Sequence, residues 1–177
     1  MLDRDRPLFR TSAEGAKLPA MTVIVRTAEP RDLASIAVLA GQLVRQHHGF
    51  DAQRFMLIPN VEAGYAHFFA TELSNPDVLI FAAEQAGSVV GYAYARLEAR
   101  DWNALLDACG VLHDIFVGDG VRRQGVARRL VDAVRVGLSG KGAPRLLLHT
   151  ASKNLAARQF FAAIGFRETM VELTAEL

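Results

Sequence analysis

The chain has 177 residues, of which 51% are hydrophobic and 22% charged, and this composition predicts a single globular domain. Its 20 Lys and Arg residues nearly balance its 19 Asp and Glu residues, and the net charge of +1 argues against broad electrostatic binding of nucleic acid or of an anionic membrane. The lone Cys109 cannot form an internal disulfide and no apolar run is long enough for a membrane span, so we expect a cytoplasmic protein.

Residues 1–20 mix charged residues with glycine and proline and follow neither helical nor strand periodicity. They also lack the apolar stretch of a secretory signal. We therefore expect a flexible N-terminal extension over residues 1–20 and one folded domain over residues 21–177.

The first part of this domain predicts one strand, two amphipathic helices and a hairpin, from the spacing of apolar residues and from turn formers such as Gly87. The expected elements are a strand at 22–26, a helix from Pro30 to Gly49, a helix at 61–73, and strands at 78–84 and 89–98. A long connection, 99–110, follows the hairpin, and connections of this length often border functional sites.

The second part alternates strands with helices. The expected elements are a strand at 111–117, a helix at 125–138, a strand at 145–150, a helix at 154–164 and a terminal strand at 166–173. This order predicts an α/β fold with a mixed central β-sheet flanked by helices on both faces.

A glycine-rich loop joins the strand at 111–117 to the helix that follows it, and residues 117–127 read VGDGVRRQGVA. At such a junction the free N–H groups of the first helical turn converge, and the helix dipole adds partial positive charge. Gly125 allows close approach of a ligand, and Arg122 and Arg123 add local positive charge. The loop therefore predicts a phosphate-binding site.

Arg122, Gly125 and Ala127 also fit the pattern [QR]xxGx[GA]. LHDIFV precedes the pattern, and an LLLHT strand, Asn154 and FFAAIGF follow it. In this order and spacing, the chain resembles the Gcn5-related N-acetyltransferase (GNAT) family. The resemblance implies a GNAT-like acyl-CoA N-acyltransferase fold, with residues 21–177 as the N-acetyltransferase domain.

The resemblance further implies transfer of an acetyl group from acetyl-CoA, as co-substrate, to an amine, with no metal. Loop amides would bind the pyrophosphate, and free strand-edge groups would bind the pantetheine arm. The expected cofactor-binding residues are Ile115, Phe116, Val117, Arg122, Arg123, Gln124, Gly125, Val126, Ala127, Asn154 and Phe160. A backbone N–H near Ile115 or Phe116 would stabilise the oxyanion of the tetrahedral intermediate.

An attacking ammonium must first lose a proton, and Asp114 and His113 are the nearest acceptors. Because successive strand residues face opposite sides of a sheet, we expect only one of them to face the cleft, and we favour Asp114 as the catalytic residue. His149, at the end of the next strand, is a second candidate. Phe161 stands where many family members carry a tyrosine proposed as general acid, so that role does not carry over to this chain.

We expect the acceptor to be a primary amine of a small molecule, attacking the thioester directly, and a protein amine is the alternative acceptor. The missing tyrosine is the reason for an alternative function of a different class, that of a non-catalytic acyl-CoA-binding module. The apolar segment 166–173 predicts a homodimer in which this strand pairs across the subunit boundary.

Overall fold

The computed structural model describes residues 22–175 and 177, and the expected extension over 1–20 lies outside them. The strands are β1 (Ile24–Thr27), β2 (Val78–Gln85), β3 (Ser88–Glu98), β4 (Cys109–Val117) and β5 (Leu146–Leu148). The helices are α1 (Leu33–Phe50), α2 (Val61–Glu72), α3 (Val126–Gly140) and α4 (Leu155–Ala163). No helix within the described residues is both long and apolar enough to cross a membrane.

The strands form one sheet in the order β1-β2-β3-β4-β5. Neighbours from β1 to β4 pair antiparallel, whereas β5 pairs parallel to β4 because α3 crosses back over the sheet between them. The predicted mixed sheet is therefore confirmed.

Helices cover both faces of this sheet. Val126, Leu130 and Val134 of α3 pack with Phe161 of α4 against one face. On the other face, α1 and α2 pack against β2 and β3 in a second cluster that includes Ile36, Ala40, Phe69 and Tyr92. The predicted layering is thus confirmed, and β4 lies between the two clusters.

A β-bulge interrupts the pairing of β3 with β4. Tyr94 lies opposite Asp114, but Ala95 lies opposite Leu112, so His113 is the extra residue. Such a bulge disturbs the alternation of side chains between the two faces. Leu112 packs on the α3 side, whereas Asp114 hydrogen-bonds to Tyr92 on the α1 and α2 side.

The predicted terminal strand at 166–173 is wrong, because no strand follows α4 among the described residues. A strand needs a partner backbone, and the segment is tied by side chains instead: Arg158 binds Glu168 at 2.5 Å, and Arg54 binds Glu172. Val171 and Leu173 are 77% and 90% exposed, so no burial favours pairing within this chain.

Candidate active site

The sheet opens into a gap between β4 and β5. Their pairing ends at Leu112 and Leu148, but β4 continues to Val117, so its last residues have no neighbour on the β5 side. Ile115, Phe116 and Val117, expected to contact the cofactor, lie along this free edge.

Backbone direction alternates along the free edge. The N–H of Gly118 donates to the carbonyl of Val90 on β3 at 2.9 Å, so Phe116 and Asp114, two and four residues earlier, also turn their backbone groups toward β3. The N–H groups of Ile115 and Val117 consequently point toward the gap. Of the two expected oxyanion donors, only Ile115 therefore has a free N–H in the right direction.

The glycine-rich loop lies at the end of β4 and leads into α3. Gly125 is the N-cap residue with φ 77°, a left-handed conformation that glycine adopts without strain, and no side chain caps α3. A Cβ atom at Gly125 would meet nothing within 4 Å. The N–H groups of Val126 and Ala127 therefore lie at the positive end of the helix dipole without a side-chain cap.

Arg122 braces the loop against β4. Its Nε donates to the carbonyl of Val117 at 3.0 Å, its Nη1 lies 2.7 Å from Asp119, and its guanidinium lies 5.3 Å from the centre of the Phe116 ring. Arg123, with φ 61°, is exposed and makes no ion pair among the described residues, so its charge is free for an anion. Gln124 contacts the carbonyl of Gly120 at 3.4 Å.

Two more of the expected cofactor residues belong to α4, Asn154 as its N-cap and Phe160 within it. The Oδ1 of Asn154 accepts from the N–H of Ala157 at 3.2 Å, so this expected cofactor residue also caps its helix. Phe160 is half-buried, with its ring 5.1 Å from that of Phe161. Phe161 is buried against Phe166 and has no hydroxyl to donate.

Asp114 lies on β4 beside the gap, on the face covered by α1 and α2. The hydroxyl of Tyr92 donates to its Oδ2 at 3.1 Å. The carboxyl is desolvated, and this burial raises its pKa, while the Tyr92 hydrogen bond and nearby His113 and His47 act in the opposite direction. A carboxylate with a raised pKa is a suitable proton acceptor near neutral pH.

The expected alternation of His113 and Asp114 between opposite faces of the sheet is wrong, because the bulge places both side chains on the same face. The His113 ring stacks on Tyr94 at 5.3 Å, and its Nε2 lies 2.9 Å from Glu98, on the same side as the Tyr92–Asp114 pair. Nothing in the LHDIFV run marks the bulge, which depends on the register between two strands.

Two further histidines lie elsewhere, His47 in the last turn of α1 and His149 directly after β5. Nδ1 of His47 donates to the carbonyl of Leu43 at 2.9 Å, and its ring contacts Phe50 and Phe55 edge-on. His149 is exposed and lies near Glu172. No group of three or more His, Cys, Asp or Glu residues within 22–175 and 177 is arranged to hold a metal ion.

Comparison with known proteins gives one match to a family model, described as the acetyltransferase (GNAT) family, over residues 46–166. Among curated proteins, the uncharacterized N-acetyltransferase YhfO of Bacillus subtilis is 28% identical over 144 residues, which cover 81% of this chain and 89% of YhfO.

Several solved structures share the fold. The aminoglycoside N-acetyltransferase AAC(6')-Iy in complex with CoA superposes with a TM-score of 0.73 at 22% identity, covering 89% of this chain and 96% of that one. The same enzyme with a bisubstrate analogue, CoA-S-monomethyl-acetylneamine, gives 0.72 at 22% identity over 88% and 98% of the two chains. The BH1408 protein of Bacillus halodurans gives 0.76 at 16% identity over 87% and 99%.

Proposed function

The chain belongs to the GNAT family and is an acetyl-CoA-dependent N-acetyltransferase, and from this premise we propose that its acceptor is a primary amine of a small molecule that attacks the thioester directly. The observation that carries the proposal is the uncapped start of α3 beside the free edge of β4. Together they offer a phosphate site and, along the free edge of β4, unpaired backbone groups for an extended arm.

The residues present fit a pyrophosphate. The first-turn N–H groups at Val126 and Ala127 have no side-chain cap, and the space beside Gly125 is open. Arg123 supplies an unpaired charge, and Arg122 holds the loop in place from β4. Asn154 and Phe160 would contact the cofactor from α4, with the Asn154 amide nitrogen available to donate after Oδ1 has capped α4.

Acetyl-CoA supplies an activated thioester when bound, and the chain's own groups prepare the attack on it. The N–H of Ile115 is the donor for the carbonyl oxygen, because the backbone of Phe116 faces β3. Val117 would bind the arm through its backbone N–H. These roles refine the expectation that either Ile115 or Phe116 serves as the oxyanion donor.

Asp114 takes the proton from the acceptor ammonium. In this step R–NH₃⁺ and the carboxylate become R–NH₂ and the carboxylic acid, and the freed lone pair attacks the thioester carbon. Burial supports the role because it raises the Asp114 pKa from its ordinary value toward the working pH. The leaving thiol has a pKa of about 8.5, like free cysteine, so its thiolate can depart without the missing tyrosine at Phe161.

The fold shared with AAC(6')-Iy, which binds a bisubstrate analogue built on neamine, supports a small-molecule acceptor. A peptide amine would use the same catalytic groups and remains the alternative acceptor. Phe161, which lacks a hydroxyl, favours the second candidate function, a non-catalytic acyl-CoA-binding module.

The test is release of free thiol from acetyl-CoA with a panel of amines: an aminoglycoside, a polyamine, an amino acid and a lysine-containing peptide. We expect turnover with a small-molecule amine, and a loss of about 100-fold in Asp114→Asn, the size typical of a positioned base. Asp132→Asn, an exposed carboxylate on α3, is the control and keeps full activity.

Turnover with the peptide alone would replace the small-molecule acceptor by a protein amine. Binding of acetyl-CoA without turnover on any amine would favour the non-catalytic module. Full activity in Asp114→Asn would remove Asp114 from the mechanism and leave the acetyl-CoA site untouched.

A further inference from the structure

Tyr92 is a fully buried tyrosine on β3, and its hydroxyl lies on the same face of the sheet as Asp114. Its side chain is 0% exposed, and its ring packs edge-on against Phe69 at 5.9 Å. A buried hydroxyl needs a hydrogen-bond partner, and the partner here is Oδ2 of Asp114 at 3.1 Å. The bond runs diagonally across the β3–β4 pair, because Tyr92 lies opposite Phe116 and Tyr94 lies opposite Asp114.

We propose that Tyr92 is a positioning residue for Asp114: its hydroxyl holds one carboxyl oxygen against β3 and leaves the other free for the acceptor amine. The proposal rests on the role of Asp114 given above. Tyr92 itself does not touch the substrate, because it lies beneath Asp114 in the core.

Packing makes Tyr92 a rigid support. Its ring is enclosed by the cluster between α1, α2 and the sheet, so its hydroxyl cannot move away from β4. A carboxylate beside a fixed donor has one preferred rotamer, and a base held in place transfers a proton more efficiently than a mobile one.

The same hydrogen bond also adjusts the proton affinity of Asp114. The groups that face the carboxyl are Tyr92 on β3, Tyr65 on α2, His47 on α1 and His113 on β4. Burial raises the pKa of Asp114, and the Tyr92 hydroxyl lowers it by stabilising the carboxylate. Removal of that hydroxyl alone should therefore raise the pKa, with both histidines still in place.

Tyr94 provides a matched control. It lies two residues further along β3 on the same face, and its hydroxyl donates to Oε2 of Glu72 at 2.9 Å instead of to Asp114. Tyr92→Phe and Tyr94→Phe therefore each remove one hydrogen-bonded hydroxyl from the same strand. Only the first removes a contact with Asp114.

The experiment measures kcat/KM against pH for both variants with one amine. In Tyr92→Phe we expect the acidic limb to move to higher pH by about one unit, which gives about a tenfold loss on that limb, and a smaller loss that persists at high pH because the Asp114 carboxylate is no longer held in place. The KM for acetyl-CoA stays unchanged. Tyr94→Phe keeps the parent profile, and Tyr92→Phe adds no further loss to Asp114→Asn.

A second readout needs no turnover. Infrared titration of the ligand-free protein, with Asp114→Asn as the subtracted reference, reports protonation of the Asp114 carboxyl, and we expect Tyr92→Phe to shift it upward. If Asp114→Asn keeps its activity, the proposed role of Asp114 fails, and this inference falls with it. If Asp114→Asn is inactive but Tyr92→Phe behaves as Tyr94→Phe in both measurements, only the positioning role is overturned.

Discussion

At the scale of single residues, burial of Asp114 makes its carboxylate a better proton acceptor but lowers the stability of the fold. A carboxyl whose pKa is raised by burial binds its proton more tightly in the folded state than in the unfolded one. Folding is therefore disfavoured progressively as the pH rises above the ordinary value of 3.8, through the window up to the raised pKa. Above the raised pKa, the folded protein therefore contains a buried carboxylate charge that lowers its stability.

Asp114→Asn should therefore stabilise the protein while it removes the base. The amide keeps an oxygen to accept from Tyr92 and carries no charge to desolvate. We expect the free energy of unfolding at pH 8 to rise by about 1 kcal/mol, and Tm by about 2–4 °C, with the gain shrinking as the pH falls toward 4. Urea unfolding at both pH values measures this, and an Asn variant no more stable than the parent at pH 8 would contradict it.

Gly125 is the residue on which the phosphate loop depends most directly. Gly125→Ala forces a Cβ into the left-handed conformation at φ 77° and covers the N–H groups that follow it. We expect a cost of about 1–2 kcal/mol in stability and at least a tenfold rise in the Kd for acetyl-CoA. Calorimetric titration and thermal unfolding measure the two effects.

Gly142→Ala is the matched control for strain, because Gly142 has φ 85° with open space around it but follows α3 at its far end. It should lose similar stability and bind acetyl-CoA as the parent does. Equal loss of affinity in both variants would mean that the effect at Gly125 comes from strain alone.

Site residues could be predicted from the sequence where their spacing along the chain is itself the signal. Arg122, Gly125 and Ala127 follow a spacing that a strand-loop-helix junction explains, and the structure places them at such a junction. The contact between Tyr92 and Asp114 could not be predicted. It depends on the register of β3 against β4 and on the bulge at His113, and neither leaves a mark in the local sequence.

At the scale of elements, the start of α1 is fixed to the sheet by a charged cluster away from the active site. Arg26 on β1 contacts Asp32 and Glu84, both at 2.6 Å, and Asp32 also accepts from the N–H of Glu29 at 2.8 Å. Asp32 is only 3% exposed. The Arg26 guanidinium lowers the Asp32 pKa, and the two carboxylates raise the pKa of Arg26.

Asp32→Asn should destabilise the fold, because it leaves part of the Arg26 charge without a partner in a mostly buried place. We expect a loss of about 2–3 kcal/mol at pH 7. Since the folded pKa lies below the ordinary value of 3.8, the contribution is present above that value and is lost as the pH falls through the folded pKa.

Urea unfolding at pH 7 and at pH 3 measures this difference, with the exposed Asp77→Asn as the control. A loss that is the same at both pH values would show that the Asp32 charge is not what stabilises α1.

Helices and inner strands could be predicted because their apolar spacing reflects burial, and α1 to α4 each lie within a few residues of the expected ranges. Strands at the margin are different. Residues 166–173 have the composition of a strand, but pairing requires a neighbouring backbone, and β5 pairs with β4 over only three residues. Composition therefore predicted a strand that no partner within this chain supports.

At the scale of the whole molecule, the free segment after α4 bears on assembly. Met170, Val171 and Leu173 are exposed in the segment after α4, and exposed apolar segments of this kind commonly pair with another chain. We expect a homodimer, with a mass of twice the chain by light scattering after size exclusion. Truncation after residue 168 should give the monomer, and a parent that is monomeric at micromolar concentration would contradict the expectation.

The arrangement of the helices leads us to expect separate approaches for the two substrates. The pairing of β4 with β5 ends early, and α1 with α2 pack on one face of the sheet while α3 with α4 pack on the other. Acetyl-CoA would enter from the α3 side and the amine from the side of Asp114. The strand-loop-helix junction at residues 117–127 predicted a phosphate site at the start of α3, but the length of the gap depends on how early β5 ends.

Calorimetric titration with acetyl-CoA, for the parent and for an Arg122→Glu, Gly125→Glu variant, tests the location of the site most directly. We expect one site per chain in the parent and no measurable binding in the folded variant, because two negative charges then occupy the phosphate loop. Equal binding by the two proteins, or no binding by the folded parent, would contradict it.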